Sequence, residues 1–181
     1  MTIVDITALD LKALTAASLS ATAGGAVTDS GTLAIAGATT ISASGQDITL
    51  DESASTFGTL ALTGANVAVT ENAATDLGAS TVSGTFGITS GGAITDSGTQ
   101  AITGDATFTN TAGDDDAITL DDASNAFGGT VTFATDSGSA VTIVDTTALD
   151  LVALSAASLS ATSGGAVTDS GTLAIAVPLV I

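Results

Sequence analysis

Nineteen carboxylates and one cationic side chain, Lys12, are almost all the ionisable chemistry in this 181-residue chain, which has no His, Cys, Tyr or Trp. The densest carboxylate runs are Asp114-Asp115-Asp116 and Asp121-Asp122, with Asp51-Glu52 as a counterpart in a related segment. Oxygen-rich clusters of this type suit Ca²⁺, which takes about 6–8 oxygen ligands. Asp114, Asp115, Asp116, Asp121 and Asp122 are therefore the calcium candidates. The chain has neither an EF-hand loop nor the Gly-Gly-x-Gly-x-Asp nonapeptide of calcium-binding β-rolls. Solvated acidic turns that keep an elongated molecule soluble account for the same residues without a metal. The expectation is no dedicated metal, no cofactor and no catalytic residue.

Catalysis by this inventory would rest on Asp and Glu alone. Paired carboxylates do hydrolyse glycosides, but every acidic position here belongs to a recurring turn, with no basic residue or aromatic platform beside it. An enzyme is not expected. The formal charge of -18 excludes nucleic acid as a partner, because phosphate binding needs clustered Lys and Arg. It also disfavours anionic membrane surfaces, and no apolar run approaches the ~18 residues of a membrane helix, so no membrane insertion is expected. Without Cys there is no disulfide framework and no thiolate metal site. Met1 to Asp10 lacks the basic and apolar regions of a signal peptide, so an export address is expected outside this chain.

The elements that carry these turns follow from composition and repetition. Ala (35), Thr (33), Gly (21) and Ser (19) supply 108 of the 181 residues, so burial must come from Val, Ile, Leu and Ala used many times. A hydrophobic content of 45% and a mean hydropathy of +0.58 argue for an ordered chain, since disorder combines charge with low hydrophobicity. Residues 2–36 realign with 142–176 at an offset of 140, differing only at Ile6/Thr146, Lys12/Val152, Thr15/Ser155 and Ala23/Ser163. A single segment over 1–181 is expected: a 140-residue unit (2–141), a partial second copy (142–176) and a divergent end (177–181), cut from something longer. GGAVTDSGTLAI at Gly24 returns near Gly91 and Gly164, and ITLDESASTFG at Ile48 returns as ITLDDASNAFG at Ile118, which divides the unit into two related halves.

A finer beat is set by acids that close apolar alternations: Asp5, Asp29, Asp51, Glu71, Asp96, Asp121, Asp145 and Asp169. Their spacing of roughly 20–25 residues is the period of a solenoid coil. Inside each period lie short alternations such as Val67-Ala68-Val69-Thr70 and Val141-Thr142-Ile143-Val144, the pattern of half-buried strands. Gly, Asp-Ser-Gly and Ser-Gly-Gly clusters between them supply turns. The Ala- and Leu-rich stretch Leu9 to Ala21 reads as short strands with a corner, because the coil spacing continues through it. The expected fold is all-β: a right-handed parallel β-helix (β-solenoid) of about eight coils, each of roughly 20–25 residues. Its narrow interior is one where aromatic residues rarely fit. Equivalent residues, such as Phe57 and Phe127, or Leu33, Gln100 and Leu173, are expected to stack in ladders. Thr-x-Thr elements do not recur at every coil, so a regular ice-ordering array is not expected.

The run from Leu77 to Phe133 contains GGAIT followed by SG, then AITL with an acidic turn, then NAFGGTV. In these strings, and over nearly the whole chain from Thr2 to Ala176, it resembles the repeats of giant bacterial exoproteins of the filamentous haemagglutinin type. The resemblance implies a right-handed β-helical stalk, exported by a dedicated outer-membrane partner, at the cell surface or outside the cell. Its implied role is adhesion or cell contact through a host or neighbouring-cell receptor or glycan. The family's amino-terminal secretion domain and a binding head are not recognisable here. A second reading is an extracellular matrix or surface-layer fibre, calcium-assisted, built from copies of the chain stacked end to end. Met1 stands where Val141 stands before the second copy, and Pro178, lacking an N–H donor, would blunt a terminal strand edge.

Overall fold

The computed structural model describes residues 1–111, 115–135 and 137–176. Asp114 and Pro178 lie outside the described residues. Among the described residues every paired strand is parallel to its neighbour and no helix occurs. The alternating segments become strands because each buries one face and because neighbouring backbone amides can be satisfied only by the turn above or below.

One sheet stacks nine strands, from Leu9–Leu11 at one end to Val167–Asp169 at the other. A second sheet of thirteen strands runs from Thr2–Asp5 to Ser158–Ser163, and its long members Leu33–Ser42 and Thr56–Gly64 wrap around a corner of the coil. Leu154–Ala156 pairs with Leu173–Ile175 in a short third sheet. The chain is therefore a parallel β-solenoid, of about nine turns among the described residues. At ~4.8 Å per turn it stands roughly 40 Å tall.

The count is close to the eight coils expected, and the difference has a physical origin. Asp29 and Glu71 close strands of the nine-strand sheet, whereas Asp96 and Asp145 close strands of the other. Acid-to-acid spacing thus mixes whole turns with steps between faces. Turn length also varies, since the stacked partners Leu9 and Val27 are closer in sequence than Ala106 and Val131. Leu9 to Ala21 forms three strands, Leu9–Leu11, Leu14–Ala16 and the start of Leu19–Ala23, in place of a helix.

The core is a set of columns along the axis. In one, Leu9, Val27, Ile48, Val67, Phe86, Ala106 and Val131 are successive partners. Repeat-equivalent residues do not stack on one another as expected: Phe57 pairs with Ile35, and Phe127 with Ile102. The repeat block is several turns long, so its equivalent positions lie several turns apart, and each ladder matches apolar character without matching identity. Aromatic residues also fit better than expected. Phe86, Phe108, Phe127 and Phe133 form one cluster, with the Phe108 centroid 6.0, 6.0 and 5.7 Å from the other three. Ala106, the partner of Phe86, gives the ring the room it needs.

Close winding explains the Gly-Gly turns. A Cβ built on Gly91 would lie 2.6 Å from the carbonyl oxygen of Asn72 in the turn below, and Gly24 and Gly164 meet Ile6 and Thr146 in the same way. Gly91→Ala is expected to destabilise the rod by about 1–3 kcal/mol through overpacking. Urea unfolding of the purified variant measures it, and an unchanged midpoint would show that the turn relaxes freely.

Candidate functional site

The acidic turns are built as stacked pairs in which one Asp organises the turn above. Oδ1 of Asp29 accepts the Asp51 N–H at 2.9 Å. In the related segment, Asp96 accepts the N–H groups of Asp121 at 2.9 Å and Asp122 at 3.3 Å, and the Asn125 side-chain amide at 2.6 Å. The Asp-Ser-Gly signature therefore supplies a carboxylate cap to the acidic turn that follows it by one coil.

Of the calcium candidates, Asp121 is exposed, while Asp122 Oδ1 is engaged by the Ser124 N–H at 2.9 Å and by the Thr99 hydroxyl at 3.0 Å. Asp115 is exposed and takes a positive φ, a left-handed backbone conformation that Asp tolerates better than most residues. Asp116 contributes its carbonyl, which accepts from the Asn110 amide at 3.3 Å. Asp114 lies outside the described residues. Among the described residues no group of three or more Asp and Glu is arranged to hold a metal ion.

A different set of carboxylates faces inward. In Val67–Glu71 the alternation that buries Val67 and Val69 also buries Glu71, which is 2% exposed. Its Oε1 accepts the Phe57 N–H at 2.6 Å, and its Oε2 accepts the Thr75 hydroxyl at 2.9 Å. Ser90 stacks on Glu71 as its strand partner, and Asn110 stacks on Ser90, which makes a polar column through the interior. No cation reaches it, because Lys12 stands on the first turn, held by Asp10 and by Ser30 of the second. Burial pushes the Glu71 carboxyl up to about 7, against the opposing pull of the Phe57 and Thr75 hydrogen bonds.

Asp145 repeats the device. It is 1% exposed, and its Oδ1 accepts the Phe127 N–H at 3.2 Å as well as the N–H and hydroxyl of Thr147 at 2.9 and 2.8 Å. Ser55 and Asn125 do the same for Leu33 and Gln100, at 3.0 and 2.7 Å. Four turn entries are thus fastened by a side chain of the following turn. Burial also raises the pKa of Asp29, and its Oδ2, like that of Asp145, is buried without a hydrogen-bond partner. The opposite shift marks exposed acids: the hydrogen bond from Lys12 holds Asp10 below the usual range, and the Thr130 N–H does so for Asp105.

Sequence reasoning placed these acids at coil boundaries without recognising that several are buried. The signal was present: Glu71, Asp29 and Asp145 each fall in phase with the inward Val or Ile of their own strand. The surface concavities are shallow. Grooves of about 390 and 280 Å³ are lined by Thr, Ala and a few larger apolar residues with no titratable group. A third of about 170 Å³, at the first turn, contains Asp10 and Lys12, already paired with each other. The inward carboxylates hold backbone and open onto none of these grooves, so the arrangement clamps turns together.

The chain matches the family model described as repeats of unknown function (DUF5649) over residues 1–63, 64–134 and 138–177. No curated protein and no solved structure matches it.

Proposed function

We propose, from the premise that this chain belongs to the DUF5649 family of repeats of unknown function, that it is a non-enzymatic structural rod. In this reading it is a stalk segment of a secreted, adhesin-like bacterial repeat protein of the filamentous haemagglutinin type. It stands at the cell surface and holds a receptor- or glycan-binding region away from the cell. The observation that carries the reading is the uninterrupted parallel ladder through nine turns, fastened at Leu33, Phe57, Gln100 and Phe127 by side chains of the next turn. Such a ladder distributes load along its axis, and the acidic exterior keeps neighbouring rods apart through like-charge repulsion. The inward carboxylates of Glu71 and Asp145 accept the Phe57 and Phe127 N–H groups, which supports a clamping role for them.

Stretching the chain between its two ends in a single-molecule force experiment tests the reading. Turns are expected to release one or a few at a time, each adding roughly 60–85 Å of extended chain at ~3.4 Å per residue. Collapse at negligible force, or turnover of an acidic polysaccharide by the purified chain, would overturn it.

A further inference from the structure

The related strings ITLDESASTFG and ITLDDASNAFG build one turn twice in the interior of the rod, at 51–57 and at 121–127. The backbone plan is the same in both. Ser55 and Asn125 donate their N–H groups back to the carbonyls of Glu52 and Asp122, and offer their own carbonyls to Asn72 and Thr146 of the turn above. Their side chains accept the N–H groups of Leu33 and Gln100 from the turn below. In both, one carboxylate holds the start of the turn from below, Asp29 or Asp96, and another holds its end from above, Glu71 or Asp145.

The copies differ in how those carboxylates are answered. Asp96 takes three donors, the Asp121 and Asp122 N–H groups and the Asn125 amide. Asp145 also takes three, from the Phe127 N–H and from the N–H and hydroxyl of Thr147. Glu71 takes two, from Phe57 and Thr75. Asp29 is 7% exposed, and where Asp96 has Asn125 it has Ser55. Its Oδ1 accepts the Asp51 N–H, and its Oδ2 is buried without a hydrogen-bond partner. The surroundings add no positive charge. Burial raises the Asp29 pKa against the pull of the Asp51 and Glu52 N–H groups, and the carboxylates of Asp51 and Glu52 push it the same way as burial. Beside Glu71 the polar column continues through Ser90 and Asn110, both uncharged, and Lys12 is held by Asp10 and Ser30.

We infer that the turn 51–57 is a pH-operated latch, closed in acid and opening in base, whereas its twin 121–127 stays closed over the same range. In acid, Glu71 keeps the Phe57 N–H on Oε1 and donates its own O–H to Thr75, whose hydroxyl donates to Ser90, and that of Ser90 to the Ala73 carbonyl. As pH rises, Asp29 and Glu71 lose their protons, and together with Asp51 and Glu52 they surround the turn with four carboxylates and no cation. A buried charge without a partner is relieved by water. Opening lets each acid return to its ordinary range and so releases protons, which makes it more favourable as pH rises. The carboxylates of the twin turn meet three donors each, so exposure gains them less. Because a solenoid turn touches only its neighbours, the opening is confined to one corner of the rod.

Amide hydrogen exchange of the whole chain, followed by NMR at about pH 5 and about pH 8 and corrected for the intrinsic pH dependence of exchange, tests it. Protection of the Asp51 and Phe57 N–H groups is expected to fall about tenfold or more over that range, and that of the Asp121 and Phe127 N–H groups by less than about threefold. Glu71→Gln, which stays neutral, keeps the protection of Phe57 constant. Ser55→Asn copies Asn125 and gives the Asp29 Oδ2 a donor, so protection of Asp51 at the upper pH rises about threefold or more. Glu71→Gln carries the test by itself if the larger amide at position 55 disturbs the fold. Equal loss at the two turns, protection of Phe57 that ignores pH, or a Glu71→Gln chain that still loses protection there would overturn the latch.

Discussion

Phe108→Ala is expected to lose about 3–5 kcal/mol of stability, the largest effect of any single truncation in the chain. Phe108 is fully buried, with Ile88 and Phe133 as its partners on either side in the nine-strand sheet. It also meets Phe86 and Phe127 edge-on, at interplanar angles of 74° and 89°, and stacks on Phe133 at 23°. Each such ring pair adds about 0.5–1.5 kcal/mol beyond the area buried. Phe127 belongs to the other sheet, so the ring joins two walls of the coil as well as three turns. In a solenoid each turn contacts only its neighbours, so a weakened interface acts as a break point. Denaturant unfolding should show a lower midpoint together with a shallower slope, as the turns on either side uncouple. Phe108→Leu, which keeps most of the volume, is expected to lose about 1–2 kcal/mol. A Phe108→Ala variant with a wild-type midpoint would mean that the cluster is packed without being stabilising.

What the sequence could and could not disclose follows from how far each feature reaches along the chain. Alternations such as Val67-Ala68-Val69 and the Asp-Ser-Gly turns are local, so strand, turn and coil period were legible without coordinates. The number of turns was not, because the acids used as markers sit on two different faces, and only stacking reveals which. The aromatic cluster was hidden for a related reason: Phe86, Phe108 and Phe133 lie on three successive strands of one sheet and meet only once the length of each turn is known. Among the calcium candidates, Asp121 and Asp122 were visible as a cluster. That Asp96 fastens their backbone from one turn below depends on register, which no local pattern encodes. Glu71 illustrates the middle case, since its inward phase is readable from Val67 and Val69, yet its solitude depends on Lys12 being held at the first turn.

That solitude makes Glu71→Gln a stabilising change at neutral pH. A buried carboxylate with no cation beside it favours the protonated form, here with a pKa of about 7 in place of 4.5. Between those values the folded chain holds a proton that the unfolded chain has released, so stability falls as pH rises through the window and levels off above it. After allowance for water reaching the coil corner, the loss is about 1–3 kcal/mol by pH 8. Gln satisfies the site at every pH. Its carbonyl oxygen accepts the Phe57 N–H, and its amide donates to the Thr75 hydroxyl, whose own proton then goes to Ser90. Asp29, also raised by burial, changes stability with pH in the same direction in both proteins and cancels in the comparison. Asp10 and Asp105, held low by their hydrogen bonds, act oppositely and weaken the fold only as pH drops through their depressed values. The stability difference between Glu71→Gln and the parent chain should therefore be small near pH 4 and grow to about 1–3 kcal/mol in favour of the variant by pH 8, read from parallel urea titrations. Glu71→Ala should instead be destabilising at both pH values, because it leaves the Phe57 N–H without an acceptor inside the coil. A Gln-minus-Glu difference that stays constant from pH 4 to pH 8 would show that Glu71 is solvated and ionised in the rod, and that the clamp works as an ordinary carboxylate.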